Sequence, residues 1–170
     1  MIQRIRKALE EKEEGFTLIE LLVVVIIIGI LAAIAIPLFL NQRQKAYDAA
    51  IKNDLHNAAL AEQSYFTDNQ YYYAPTGGKI VPNDAALTPE GLSFSPATNY
   101  NSSTQQINVT VWDQNGNTVS AGGTTGTGGF CLTAESSSNH WFMYNSTAGG
   151  QSPTTYTSQP TCTYGSFTAS

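Results

Sequence analysis

The sequence predicts an α+β fold, in which one long N-terminal helix lies against a roughly four-stranded antiparallel sheet. Three observations carry this. Residues 21–40 form an uncharged apolar run. From Asn41 a mixed polar and apolar segment follows, with no Gly or Pro before Pro75. Beyond it, short β-rich stretches alternate with clusters of turn residues.

The helix comes first. At about 1.5 Å rise per residue the apolar run reaches about 30 Å, the thickness of one bilayer core. It is apolar on every side, the pattern of a helix buried in lipid or in a bundle. Gly29, Ala32 and Ala33 set small side chains at three- and four-residue spacing, which permits close backbone approach. Small residues are also common in any membrane span. Pro37 lacks an amide donor and is expected to kink or loosen the helix. An amphipathic half, residues 41–66, continues it: Ile51, Leu55, Ala58, Ala59, Tyr65 and Phe66 fall near one face. Asp48 stands four residues before Lys52, the favourable order for a helical ion pair. Glu62 interrupts the apolar face and is expected at its edge. Tyr65, Phe66 and Tyr71 to Tyr73 form an aromatic cluster, read as packing at the helix exit with a subunit interface as the alternative.

Residues 67–91 read as a loop, with Pro75, Gly77, Gly78, Pro82, Pro89 and Gly91 marking turns. The sheet occupies residues 92–170. Leu92 to Ser95 alternates and is a candidate first strand. Ile107 to Trp112 alternates cleanly, Asp113 to Asn117 is a turn, and Thr118 to Ala121 is expected to return as a hairpin. Phe130 to Ala134 and His140 to Tyr144 are the third and fourth strands, around a turn at Ser136 to Asn139. Ser, Thr, Gly and Pro dominate after Asn145, with Tyr156 in a short pairing.

Composition narrows the function classes. The chain has 170 residues and a formal net charge of −5 at pH 7. Past Lys52 the only Lys or Arg is Lys79, so the C-terminal part has no electrostatic footprint for nucleic acid. Cys131 and Cys162 read as one disulfide in an exported protein, closing a loop worth roughly 3.5 kcal/mol in the chain-entropy model. Two free thiols are the alternative. Asp113-x-Asn115-Gly-Asn117 faintly resembles a calcium loop but lacks the full ligand series. His56 and His140 have no Cys or acidic partner at metal spacing, and the Gly122–Gly129 stretch lacks the Lys-Ser/Thr pair of a phosphate loop. No metal, cofactor or catalytic residue is expected, and the chain reads as a non-enzyme. Three Asn-x-Ser/Thr triplets, at Asn101, Asn108 and Asn145, are read as chance.

The block Gly15-Phe16-Thr17-Leu18-Ile19-Glu20, with the apolar run behind it, resembles the class III signal of bacterial type IV pilins and pseudopilins. The resemblance covers roughly the first 60 residues. It implies a leader, residues 1–15, cut between Gly15 and Phe16 by a prepilin peptidase that also N-methylates Phe16. It implies a transmembrane and filament-core helix over residues 16–40 and a globular head over residues 41–170. Glu20 would then pair with the new α-amino group of Phe16 in a neighbouring copy, and the segment from Gly29 to Pro37 would melt or bend on assembly. A buried pair of that kind serves register more than net stability. The basic residues Arg4, Arg6, Lys7 and Lys12 favour a cytoplasmic N-terminus, while Arg43, Lys45 and Lys52 weaken that inference. An ordinary signal peptide cut after Ala33-Ile34-Ala35 is the competing reading of the same run.

The resemblance implies a structural subunit of a type IV pilus, serving adhesion, motility or DNA uptake. Its implied partners are further copies of itself, the prepilin peptidase/methyltransferase, the membrane, an assembly platform protein and a cytoplasmic ATPase. The precursor is expected in the inner membrane with its head outside the cytoplasm, and the polymer outside the cell. A type II secretion pseudopilin and a membrane-anchored surface-binding module are the alternatives. The position of the cysteines resembles the C-terminal disulfide region of pilins.

Overall fold

The computed structural model describes residues 15–101 and 105–168. All of the expected leader except Gly15 lies outside them. The chain falls into two compact units, residues 1–42 and 43–170.

The helix, α1 (Leu18–Asn69), contains Pro37 without ending there. It runs three residues beyond the expected Phe66. It stops where Gln70 takes a left-handed φ of 65° and its N–H returns to the Phe66 carbonyl at 2.8 Å. In the second unit α1 buries Ile51, Leu55, Ala58, Ala59 and Ala61. Tyr65 and Phe66 are half-buried beside them.

The sheet of that unit is an antiparallel meander in the order β1-β2-β3-β4-β5. Its strands are β1 (Lys79–Ile80), β2 (Ile107–Trp112), β3 (Gly129–Glu135), β4 (Trp141–Asn145) and β5 (Gly150–Gln151). A separate two-stranded ribbon joins β6 (Thr161–Thr163) to β7 (Ser166–Thr168). Register decides the faces. Val109 opposite Leu132, Val111 opposite Phe130 and Ala134 opposite Phe142 fill the side packed on α1. The alternate positions Trp112, Cys131 and Met143 form a second core with Tyr156, flanked by Trp141, Cys162 and Phe167. The sheet is therefore covered on both faces, and the C-terminal tail supplies the second cover.

Several expectations change. Leu92 to Ser95 is not a strand. Its amides are taken elsewhere: Leu92 N–H bonds the Leu87 carbonyl, and Ser95 N–H bonds the Asp54 carboxylate. The edge strand is instead Lys79–Ile80, inside the segment read as loop. The expected hairpin from β2 shrinks to one bridge, Trp112 with Thr118, plus Val119 N–H to the Val111 carbonyl. The chain then turns away, because Gly122 N–H bonds the Ala74 carbonyl, and β3 becomes the main partner of β2. Glu62 is not at an edge; it is fully buried. Asp48 does not pair with Lys52, whose ammonium sits 4.9 Å from the Phe142 ring centroid.

Candidate assembly segment

The described part of the first unit starts with Gly15 to Thr17 in non-helical backbone and enters α1 at Leu18. Thr17 caps the helix. Its N–H and hydroxyl both donate to Glu20 Oε2, at 3.0 and 2.7 Å, and Glu20 N–H reaches back to Thr17 Oγ1 at 3.3 Å. This is a reciprocal capping box, and it satisfies two of the donors a helix start leaves unpaired. Its signature is present in the sequence as Thr-x-x-Glu, a signal separate from the expected pairing of Glu20 with a foreign amine. Within one copy, then, Glu20 already has a task, and only one of its oxygens is engaged.

From Phe16 to Leu40 every large apolar side chain is exposed, from 47% at Val23 to 87% at Phe16. Nothing among the described residues covers this surface, and leaving so much apolar area in water is unfavourable by roughly 25 cal/mol per Å². It is long and apolar enough to cross a membrane. At Gly29 nothing lies within 4 Å of where a Cβ would stand. No contact inside the chain therefore demands a glycine there.

In the head, three carboxylates on α1 hold three connecting segments. Asp48 accepts from Ser136 Oγ at 2.6 Å, from Ser138 Oγ and from His140 Nδ1 at 2.9 Å, and so pins the β3–β4 turn. Burial works to raise the Asp48 pKa, but these hydrogen bonds and the imidazole charge outweigh it and hold the group below the ordinary carboxylate value. Asp54 accepts from Ser95 N–H and Oγ and from the Tyr100 hydroxyl at 2.7 Å. Burial and that anionic partner push the Tyr100 phenol upward. Glu62 accepts Tyr73 N–H at 2.9 Å on Oε2, while Oε1 has no partner. Desolvation raises its pKa to about 8, the Tyr73 bond offsets part of this, and nearby Asp84 adds to it. Burial therefore favours the protonated, uncharged form of Glu62 at neutral pH.

His140, Asp48 and Ser138 are the residue types of an acyl-transfer triad, without its geometry. Ser138 Oγ and Asp48 Oδ2 both approach Nδ1 of the ring, at 3.1 and 2.9 Å. A relay needs serine on one ring nitrogen and carboxylate on the other. No local pattern signals that His140 meets Asp48, because 92 residues separate them.

Cys131 and Cys162 are joined, with Cα atoms 5.9 Å apart. Beside them buried Asn145 donates Nδ2 to the Thr163 and Ser166 carbonyls and accepts from Thr147 N–H and Oγ1. Its amide is fully committed to holding the β6–β7 ribbon, which leaves no room for a glycan in the folded head. In the Asp113 loop both carboxylate oxygens turn inward, accepting from Asn115 N–H, Asn117 N–H and Asn117 Nδ2. Asn117 contributes most to holding that carboxyl below its usual pKa. The loop's acid thus serves the turn itself. At the helix exit Tyr65 packs against Tyr71 and Tyr73, and Phe66 stacks on Tyr72 at 4.5 Å between centroids.

Residues 12–36 match the family described as the prokaryotic N-terminal methylation motif. Beyond it, the chain is 36% identical over 119 residues to the type IV narrow pilus major component PilA5 of Thermus thermophilus, spanning 68% of this chain and 94% of that protein. The chain belongs to the type IV pilin family. This pilin is also 42% identical over 84 residues to the wide pilus major component PilA4 of the same organism, covering 49% of this chain and 58% of the relative. It is 30% identical over 90 residues to the type II secretion system core protein G of Pectobacterium carotovorum, covering 52% and 57%. Across three of the relatives it matches, the pilin spans between 28% and 58% of their length. No solved structure matches the chain. The α+β architecture expected from the sequence, a long helix on an antiparallel sheet, is the one observed.

Proposed function

We propose that this pilin is the structural subunit of a type IV pilus, polymerised through its N-terminal helix. The observation that carries this reading is the apolar helix, exposed among the described residues, whose first half lies within a methylation motif. Among the described residues of a single copy nothing covers that surface; lipid supplies the cover before assembly and the helices of other copies supply it afterwards. The relatives named as pilus components support the same reading.

On this reading a prepilin peptidase cuts between Gly15 and Phe16, leaving residues 1–15 as a discarded leader, and Phe16 is N-methylated. Residues 16–40 are the membrane anchor and then the filament core, and residues 41–170 are the head. The precursor waits in the inner membrane with the head outside the cytoplasm, and the filament is extracellular. Lipid tails are as apolar as the helix, so leaving the bilayer gains little by itself. Extraction is therefore assigned to a platform protein and a cytoplasmic ATPase. Head-to-tail stacking is a heterologous contact that grows without closing. Glu20 leaves one oxygen free in the capping box, and that oxygen is available to the Phe16 amine of a neighbour. Gly29 and Pro37 mark the stretch assigned to loosen as copies pack.

A type II secretion pseudopilin is the second reading, favoured by the core protein G relative. Purified surface fibres decide between them. The mature chain should begin at Phe16 carrying one methyl group and should be the main component of a long fibre. Glu20→Ala should abolish fibre yield while the precursor still accumulates in the membrane. A mature N-terminus at Ile36 would falsify the anchor. Fibres confined to secretion-system overexpression would favour the pseudopilin.

A further inference from the structure

We infer that Arg43 and Lys45 form a docking point for anionic phospholipid headgroups, which sets the depth at which the precursor waits in the membrane. This rests on the membrane-anchored reading above. The apolar run ends at Leu40. Three and five residues later in the same helix come Arg43 and Lys45, both exposed. At about 1.5 Å per residue they lie roughly 5–8 Å past the run, which is the headgroup layer rather than bulk water.

Neither cation pairs with a carboxylate among the described residues. Among the described residues the ion pair formed is His140 with Asp48. Asp48 is also the nearest acid along the helix, and its oxygens are taken by Ser136, Ser138 and His140. Arg43 instead lies over the Tyr47 ring, 5.4 Å from its centroid. A tyrosine with an arginine on its face is an arrangement suited to a bilayer boundary, where the ring is half wet and the guanidinium stays free to donate. Charge is also segregated. From residue 53 onward the chain carries seven carboxylates and Lys79 as its single Lys or Arg. Of the four Lys and Arg residues beyond Leu40, Arg43 and Lys45 are thus the two that follow closely on the apolar run.

Basic residues on the translocated side work against orientation. Their placement is explained if they bind phosphate there. Arg43 offers a planar fork that takes a phosphodiester through two hydrogen bonds, and Lys45, two residues on and round the other side of the helix, offers a point charge to a second headgroup.

The test uses the full precursor inserted in phosphatidylcholine bilayers containing a minority of phosphatidylglycerol. Small discs are cut from the bilayer without detergent, and their lipids are weighed by native mass spectrometry. The wild-type chain should enrich phosphatidylglycerol by roughly fivefold per cation. The enrichment should vanish in Arg43→Gln/Lys45→Gln, survive in Lys79→Gln, and fall at about 1 M salt, where screening acts within about 3 Å. Protease protection reports insertion separately. An inserted wild-type chain with no enrichment, or a double variant that enriches as well as wild type, overturns the inference and leaves the anchor standing. Pairing of these cations with another copy's carboxylates would give that same absence of enrichment. Failure of the wild-type chain to insert overturns the anchored reading and this inference with it.

Discussion

Replacing Glu62 with Gln should make the head more stable at neutral and alkaline pH, although it alters a group that bonds the backbone. The acid is fully buried, accepts one hydrogen bond and leaves Oε1 without a partner. Its surroundings are acidic or phenolic: Asp84, Tyr65, Tyr72 and Tyr73. No cation offsets a charge there among the described residues. Its pKa rises from 4.5 to about 8 on folding. The folded state therefore holds the proton more tightly than the unfolded chain. That contribution to stability is complete below about pH 4.5, declines as pH rises, and is gone above about pH 8. At about 1.4 kcal/mol per pK unit the whole loss is roughly 3–6 kcal/mol. The side-chain amide in Glu62→Gln keeps an acceptor for Tyr73 N–H and cannot ionise. The assay is guanidinium unfolding of the full chain in detergent, followed by fluorescence of Trp112 and Trp141, at steps from about pH 4 to about pH 9. The difference between variant and wild type should be small at the acid end and widen by several kcal/mol toward the alkaline end. Parallel profiles, or a wild-type chain that gains on the variant as pH rises, would refute the reasoning.

Reducing the Cys131–Cys162 bond should cost roughly 3.5 kcal/mol, the value for its 31-residue separation, and amide exchange should rise first in β6 and β7. Asn145→Ala strands the Thr163 and Ser166 carbonyls and the Thr147 donors; a loss of about 2–3 kcal/mol by denaturant unfolding is expected. Intact mass of the wild-type pilin should show no glycan at Asn145. Asp48→Asn should release the turn holding His140. Because folding lowers the Asp48 pKa, the stability it adds is present above the ordinary carboxylate value and is lost as pH falls through the lowered one. Acid titration of wild type against Asp48→Asn should converge at the low end, and a persistent gap there would count against the assignment.

The helix and the three main strands were legible because period and alternation survive in the sequence: Ile51, Leu55 and Ala58 for one, Ile107, Val109 and Val111 for the other. What was not legible depends on distance. Leu92 to Ser95 has the alternation of a strand, but Asp54, 41 residues away, captures the Ser95 amide. Lys79–Ile80 is too short to carry a pattern, and pairing with β2 alone makes it a strand. Glu62 was misplaced because a carboxylate on an apolar face is expensive to bury as an ion and was expected to escape. Raising its pKa removes most of that cost. At the N-terminus the motif and the apolar run mark the candidate assembly segment. The Thr17–Glu20 cap needed the helix start to be known to within a residue.

The placement of Asp48, Asp54 and Glu62 bears on how the head would carry mechanical tension. The outer two lie 14 residues apart on α1, or about 21 Å of helix. Each grips a different part of the fold: the β3–β4 turn, the Ser95–Tyr100 stretch and the backbone at Tyr73. A pull entering along the helix would reach all three grips at once, so the load acts in shear across their combined length. A single attachment would peel open one contact at a time, and the head would come apart under far smaller force.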